Sequence, residues 1–326
     1  MVSATGYLQQ AQALMAVGRY TEAVTALERA IVQEPDAAEP RCELAVAFLN
    51  LDRFDEAINM AGSALPLVPN SEWPHRIRSI GLRQLGKRRA ALAEAQAAVR
   101  LGPRNYATHF VLAEALLASK RVDEAAAAAV QVRSLVPQLP LGHDVLGRVA
   151  LRRRQWESAG THFRQALTLD PTDWVVMNHL GEALERRRRL KEAMEVYEAA
   201  AKLNPRARVS QNRLLSSTRN YIDRAGAPVG IVGLVALWAA FEVSDKNRVA
   251  AVLLAVLGLA SLGGSAYLAR RRRRTLNRLV QGFYLTAWPR ERLRLIRRAL
   301  LLCGAFLLAL ALFILGAAVY YGQLRF

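Results

Sequence analysis

Along residues 4–205, apolar side chains recur at three- and four-residue spacing in short runs. Tight polar turns such as Val17-Gly18-Arg19-Tyr20 and Leu51-Asp52-Arg53-Phe54 separate them. That spacing is the period of an amphipathic α-helix, so each stretch predicts two short helices joined by a turn. Beyond residue 224 the pattern changes. Apolar residues gather into three runs, 225–243, 249–269 and 299–321, in which Glu242 is the one charged residue. About 20 apolar residues suffice to cross a hydrocarbon core, so each run predicts a membrane-spanning helix. The expected fold class is all-α: six helix-turn-helix units in tandem, followed by a three-helix transmembrane region.

The units share one register. Prolines stand at Pro35, Pro69, Pro103, Pro137, Pro171 and Pro205, a constant 34 residues apart. Twelve residues before each lies Ala23, Ala57, Ala91, Ala125, Ala159 or Ala193, and five before each lies Ala30, Ala64, Ala98, Val132, Ala166 or Ala200. Alanine lets two helix backbones approach closely. Proline ends the second helix, because it lacks an N–H and disfavours helix at the residue before it. The units run 4–37, 38–71, 72–105, 106–139, 140–173 and 174–205. None can bury its apolar face alone, so neighbours must stack. The polar, amphipathic stretch 206–224 then suits a capping and linking helix over the last unit.

The columns resemble those of the tetratricopeptide repeat family over residues 4–205. The large residue before each second helix reads Tyr20, Phe54, Arg88, Val122, Trp156 and Leu190, and the family's Leu-Gly/Ala pair reads Leu44-Ala45, Leu112-Ala113, Leu146-Gly147 and Leu180-Gly181. Repeat three departs from it, with Arg78-Ser79 for the pair and Arg88 for the apolar residue; a looser unit, a partner contact and plain degeneracy all fit. The resemblance implies an α-solenoid whose first helices line a concave groove for a peptide or protein. Carried across, the groove includes Trp73, Arg76, Arg83, Phe110, Glu114, Asp144, Arg148 and Arg152. The arginines suit acidic groups on a ligand. The same columns also fit a solvated helical face. They lack the Lys/Asn set with which chaperone-binding members clamp a terminal carboxylate.

Charge changes the picture of the last third. The whole chain carries a net +18, which by itself would suggest nucleic acid. Residues 1–205 hold 26 of the 45 Lys/Arg and 23 of the 27 Asp/Glu, so the excess belongs to the region of the apolar runs. Positive residues placed between spans set membrane topology, and no nucleic-acid partner is expected. The stretch 206–224 has five arginines against Asp223, and 270–298 has eleven against Glu291. The positive-inside rule places both, with the repeats, in the cytoplasm, and the C-terminus on the opposite side. The N-terminal residues show no basic-then-apolar signal peptide, which agrees. The Ala/Arg/Leu-rich composition points to a bacterial inner membrane.

Within 270–298, Phe283, Tyr284 and Trp288 belong to an apolar stripe beside Arg270, Arg271, Arg272, Arg273, Arg274 and Arg278. This fits a helix lying in the interface on anionic lipid headgroups. A loop whose arginines serve topology alone fits equally. The first run, 225–243, also suits a re-entrant segment.

Chemistry adds little. Cys42 and Cys303 form no C-x-x-C pair. His75, His109 and His143 are 34 residues apart, one per unit. Packed helices lie about 8–10 Å apart, whereas zinc holds nitrogen ligands at about 2 Å, so these are packing residues. No metalloprotease, phosphate-loop or serine-hydrolase motif occurs. The expected function is non-enzymatic and needs no cofactor: a membrane-anchored scaffold for a protein or peptide partner. The alternative is an accessory subunit recruited to other integral membrane subunits through its spans.

Overall fold

The computed structural model describes residues 3–205, 207–218, 220–221 and 248–274. Ten helices form five hairpins in chain order: α1 (Ala4–Ala16) and α2 (Tyr20–Gln33), α3 (Ala38–Asn50) and α4 (Phe54–Ala64), α5 (Trp73–Gln84) and α6 (Arg88–Leu101), α7 (Tyr106–Ala118) and α8 (Val122–Leu135), α9 (Leu141–Arg152) and α10 (Trp156–Leu169); α11 (Trp174–Arg186) and α12 (Leu190–Leu203) follow in the sixth repeat. Residues 208–218 are helical and are called α13; α14 spans Arg248–Arg274. The chain divides into two compact units, Met1–Ala183 and Leu184–Phe326.

Local chemistry explains the helix ends. Ser3 accepts from the Gly6 N–H at the start of α1, Asn105 from Ala107 at α7, and Asp173 from Val175 and Val176 at α11. Each satisfies an amide that the helix leaves without a partner. α2, α6, α8, α10 and α12 stop two residues before their prolines. α4 stops early, at Ala64, because Pro66 falls inside its final turn. Between the two helices of each repeat one residue has positive φ: Gly18, Asp52, Gly86, Lys120, Arg154 and Arg188, in the same 34-residue register. This left-handed residue turns the chain back on itself.

Packing follows the columns. All six alanines of the first column, and all six residues of the second, are fully buried. The core is continuous between neighbours only. One cluster joins Ala11, Leu27, Leu44, Phe48 and Ala57, the next Cys42, Ala61 and Ile77, and a third Ala113, Leu117, Ala129, Val145 and Val149. Stability of this kind sums repeat by repeat. Within the first unit α1, α3, α5, α7 and α9 also touch one another in succession, so their free sides form one face.

In the second unit, α13 begins 34 residues after α11, as a seventh first helix would. Gln211 donates to the Pro205 carbonyl at 2.6 Å, as Arg41 does to Pro35 and His109 is paired with Pro103. Leu214, Ser210, Ser217 and Thr218 are fully buried. Tyr197 of α12 is buried and bonds Glu185 at 3.2 Å; burial raises its phenol pKa, and the nearby Glu185 adds to this.

α14 contains the run 249–269. Its described side chains are 256–268 and 271, and Val256, Leu257, Leu259 and Tyr267 are more than half exposed. Among the described residues no helix is long and apolar enough to cross a membrane. The runs 225–243 and 299–321 lie outside the described residues, as do Arg278, Phe283, Tyr284 and Trp288. Arg271 is exposed on α14. Arg270, Arg272, Arg273 and Arg274 belong to the same helix.

Candidate functional site

The face formed by the first helices carries a ladder of charges that runs from α5 to α9 and ends on His179 of α11. Arg148 on α9 makes a two-pronged ion pair with Glu114 on α7, its second hydrogen bond being 3.1 Å long. Arg83 on α5 approaches the same carboxylate at 3.8 Å. Arg148 also lies 3.7 Å from Asp144, whose other oxygen is 2.8 Å from His179 Nδ1 on α11. Glu114 and Asp144 are buried, whereas the side chains of Arg83 and Arg148 are each 26% exposed. The acids thus lie beneath and the cations above them. Burial alone would depress the Arg148 pKa, but Glu114 and Asp144 outweigh it and raise it.

Two arginines share Glu114. A guanidinium has five N–H donors, and two per arginine suffice for a carboxylate, so donors remain at the surface. The structure therefore changes the expectation drawn from charge alone. These arginines already neutralise acids of the chain, and a ligand carboxylate would join an occupied network. Arg76 is likewise held, by Glu72 at 3.1 Å, and Glu72 also accepts from Asn105 at 2.7 Å. Arg152 is exposed at the end of α9 and has no ion pair among the described residues.

The two aromatic candidates lie nearer the N-terminal ends of their helices than the charges do, Trp73 as the first residue of α5 and Phe110 one turn before Glu114 on α7. Trp73 is half-buried and packs with Val46 against the cluster around Cys42 and Ile77. Phe110 is half-buried against both the Val111 and Leu116 clusters. Both are partly exposed.

Sequence reasoning missed Glu72, Glu94 and His179. The signal for the ladder was nevertheless present. One column reads Gln12, Val46, Ile80, Glu114, Arg148 and Glu182, and its charges alternate in the last three units. Opposite charges in one column of consecutive repeats fall on adjacent helices. The histidine column proves to be several different contacts. His75 bonds Glu94 at 2.7 Å, His109 meets the Pro103 carbonyl at 2.8 Å, and His143 faces His162 with ring centroids 6.0 Å apart. His179, outside the column, joins the ladder.

Repeat three replaces its missing motif with a polar clasp. Ser79 is buried and its hydroxyl donates to the Ala91 carbonyl at 2.8 Å. Arg78 reaches Glu94 at 3.0 Å. Cys42 is buried, and its thiol pKa is pushed up to about 12 by burial first and by Glu43, Glu39 and Glu72 after it.

Comparison with known proteins agrees with this architecture. Three segments, 8–72, 79–139 and 145–208, match the family model described as tetratricopeptide repeat. No curated protein matches the chain. Among solved structures, the chain is similar to TTC0263, a thermophilic TPR protein of Thermus thermophilus, with 22% identity over 56% of this chain and 99% of that one, at a TM-score of 0.52. It is similar to PilW, a type IV pilus biogenesis factor, with 17% identity over 65% and 98% at 0.55. It is also similar to a chain of the APC/C hetero-tetramer Cut9-Hcn1, with 16% identity over 66% and 43% at 0.59. These likenesses concern the fold alone. The 34-residue register, the paired helices, the buried alanine columns and the three matched segments make this chain a member of the tetratricopeptide repeat family.

Proposed function

We propose that the protein is a non-enzymatic, membrane-anchored scaffold that binds a protein or peptide on the face built by α1, α3, α5, α7 and α9. Tetratricopeptide repeats bind peptides and proteins, and the arrangement of this face carries the reading. Arg83 and Arg148 stand above buried Glu114 with donors to spare, and the partly exposed Trp73 and Phe110 lie towards the N-terminal ends of the same row of helices. An extended segment with an acidic residue beside an apolar one matches that pattern. Arg152 adds a cation at the same end of the face.

The anchor rests on sequence and helix content. Three apolar runs follow the repeats, the middle one lies within the continuous helix α14, and its described apolar side chains are largely exposed. Arginines on either side of the first two runs orient the repeats to the cytoplasmic face of a bacterial inner membrane. The segment 270–298 lies along anionic headgroups of the same leaflet.

Purifying the full chain in mild detergent and identifying what co-purifies tests this. Replacing Arg83 and Arg148 with glutamine keeps donors to Glu114 but removes both cations. That double variant is expected to lose the partner at least tenfold while staying in the membrane fraction. Retention of the partner by that variant, with loss on replacing the apolar runs, would instead establish an accessory subunit recruited through its spans. Repeats shielded from protease on the far side of inverted vesicles would overturn the orientation.

A further inference from the structure

The hairpins of the first unit have two edges, and their charges differ. Every turn from a first to a second helix lies on one edge, and every turn to the next repeat lies on the other. The inner-hairpin turns of repeats three to five carry Lys87–Arg89, Lys120–Arg121 and Arg152–Arg154, all exposed, against Asp123, Glu124 and Glu157 just beyond them; Arg121 pairs with Glu124, Arg153 with Asp123 and Lys87 with Asp55. On the opposite edge Glu34, Asp36, Glu39, Glu72, Asp170 and Asp173 stand with Arg41, Arg100, Arg104 and Arg133. In repeats three to five the inner-turn edge is therefore the more basic of the two.

A second observation bears on the same turns. Each requires a residue with positive φ, the conformation that glycine adopts freely and a Cβ-bearing residue adopts with strain. Repeats one and three use Gly18 and Gly86 there. Repeats four and five use Lys120 at φ 63° and Arg154 at φ 60°. The chain thus keeps a cation at the tip of the turn where glycine would be easier. Local contacts do not repay the strain: Lys120, Arg152 and Arg154 are exposed and have no ion pair among the described residues. Strain held at an exposed charged position points to a use outside the fold.

We infer that this edge, from repeat three to repeat five, is a docking surface for anionic phospholipid headgroups. The assignment to lipid rests on the membrane-anchored reading, since a tethered repeat array meets the leaflet at high local concentration. Basic residues near an anionic leaflet attract it additively and in a salt-dependent way.

The test uses the full chain reconstituted with its repeats outward. One set of vesicles is phosphatidylcholine, and the other contains phosphatidylglycerol at one molecule in three. Trypsin cuts after Lys and Arg, so it reads the exposure of these turns, with Arg104 on the opposite edge as internal control. Cleavage at the three turns is expected to slow at least tenfold with phosphatidylglycerol, to recover in high salt, and to leave Arg104 unaffected. A variant with R88Q, R89Q, K120G, R152Q and R154G should lose the lipid dependence. Its two glycines relax the turns, so loss through misfolding is not expected, and far-ultraviolet dichroism verifies this.

Equal cleavage in both vesicles, with the chain resisting carbonate extraction, overturns the docking edge and leaves the anchor standing. Extraction by carbonate instead defeats the anchor. Slowing by added phosphatidylglycerol vesicles would then still support the edge, and no slowing would overturn it. Protection by duplex DNA in pure phosphatidylcholine, equal to that by phosphatidylglycerol, assigns the edge to nucleic acid and overturns the lipid assignment.

Discussion

Repeats three and five place the same backbone positions together and fill them in opposite ways. In repeat three, Ser79 on α5 faces α6 and donates to the Ala91 carbonyl, while His75 and Arg78 both hold Glu94. In repeat five, the position of Ser79 is Gly147, and a Cβ there would lie 2.5 Å from the buried ring of Phe163. The position of Glu94 is His162, which faces His143. One hairpin is closed by a polar clasp, the other by an aromatic ring seated in a glycine gap. Small residues in the shared columns set the helix separation. What closes the hairpin is then chosen in pairs, Ser79 with Ala91 and Glu94 with His75, or Gly147 with Phe163.

The largest expected effect follows from that gap. Replacing Gly147 with alanine drives a methyl group into the Phe163 ring, which is fully buried. Overpacking of this kind costs about 1–3 kcal/mol. Urea unfolding of the solubilised chain, followed by circular dichroism, measures it. A Gly147→Ala variant as stable as the parent would show that the ring swings aside.

The polar clasp is expected to respond to a different change. Glu94→Ala removes the acceptor for both His75 and Arg78, at a cost of about 1–2 kcal/mol after allowance for their partial exposure. Ser79→Ala strands the Ala91 carbonyl and costs about 1 kcal/mol. The two losses should not add, since they open the same interface. Hydrogen exchange along α5 and α6 localises the damage. Exchange that rises equally in repeat five would deny that each hairpin closes by its own device.

These devices also mark how far sequence reading reaches. The hairpins, their order and the buried alanine columns were legible because each rests on a period that six copies repeat. The left-handed turn residue recurs with the same period, but Asp52, Lys120, Arg154 and Arg188 hide it behind side chains that do not advertise positive φ. The closures were not legible. Arg78-Ser79 looks like decay of a motif until Glu94 is placed opposite, and the pairing is between helices whose contacting residues are 12 to 19 apart. For the ladder, Glu114 and Arg148 were individually named as groove residues. Their mutual pairing needed the neighbouring helices side by side.

A weaker effect separates the two hairpins only as acid is added. Burial lowers the pKa of His143, and His162 and Arg133 lower it further; burial likewise lowers His162, with Arg133 adding and Gln165 opposing. The folded state disfavours protonation of both rings, whereas in the unfolded chain they take protons at about pH 6.5. Their contribution is therefore intact above pH 6.5 and declines as the pH falls below it through the depressed folded values. His162→Gln should flatten that decline. His162→Glu sets a carboxylate beside His143 in place of a second imidazole and should likewise weaken it. Identical acid-side slopes for all three proteins would exclude the histidine pair as the cause.

The smallest effect lies in the turns. Gly86→Ala places a Cβ at φ 74° and is expected to cost about 1 kcal/mol. Lys120→Gly or Arg154→Gly should gain somewhat less than that, because relief of strain is offset by the greater freedom of glycine in the unfolded chain. Asp52→Gly should gain least, since a short polar side chain tolerates the left-handed region by bonding locally. The order of these changes matters more than their size. If Lys120→Gly and Arg154→Gly stabilise while Gly86→Ala destabilises, the cations at these tips serve something other than the fold. If they destabilise instead, the side chains are holding the hairpins closed, and the charged edge would be a structural feature of repeats four and five.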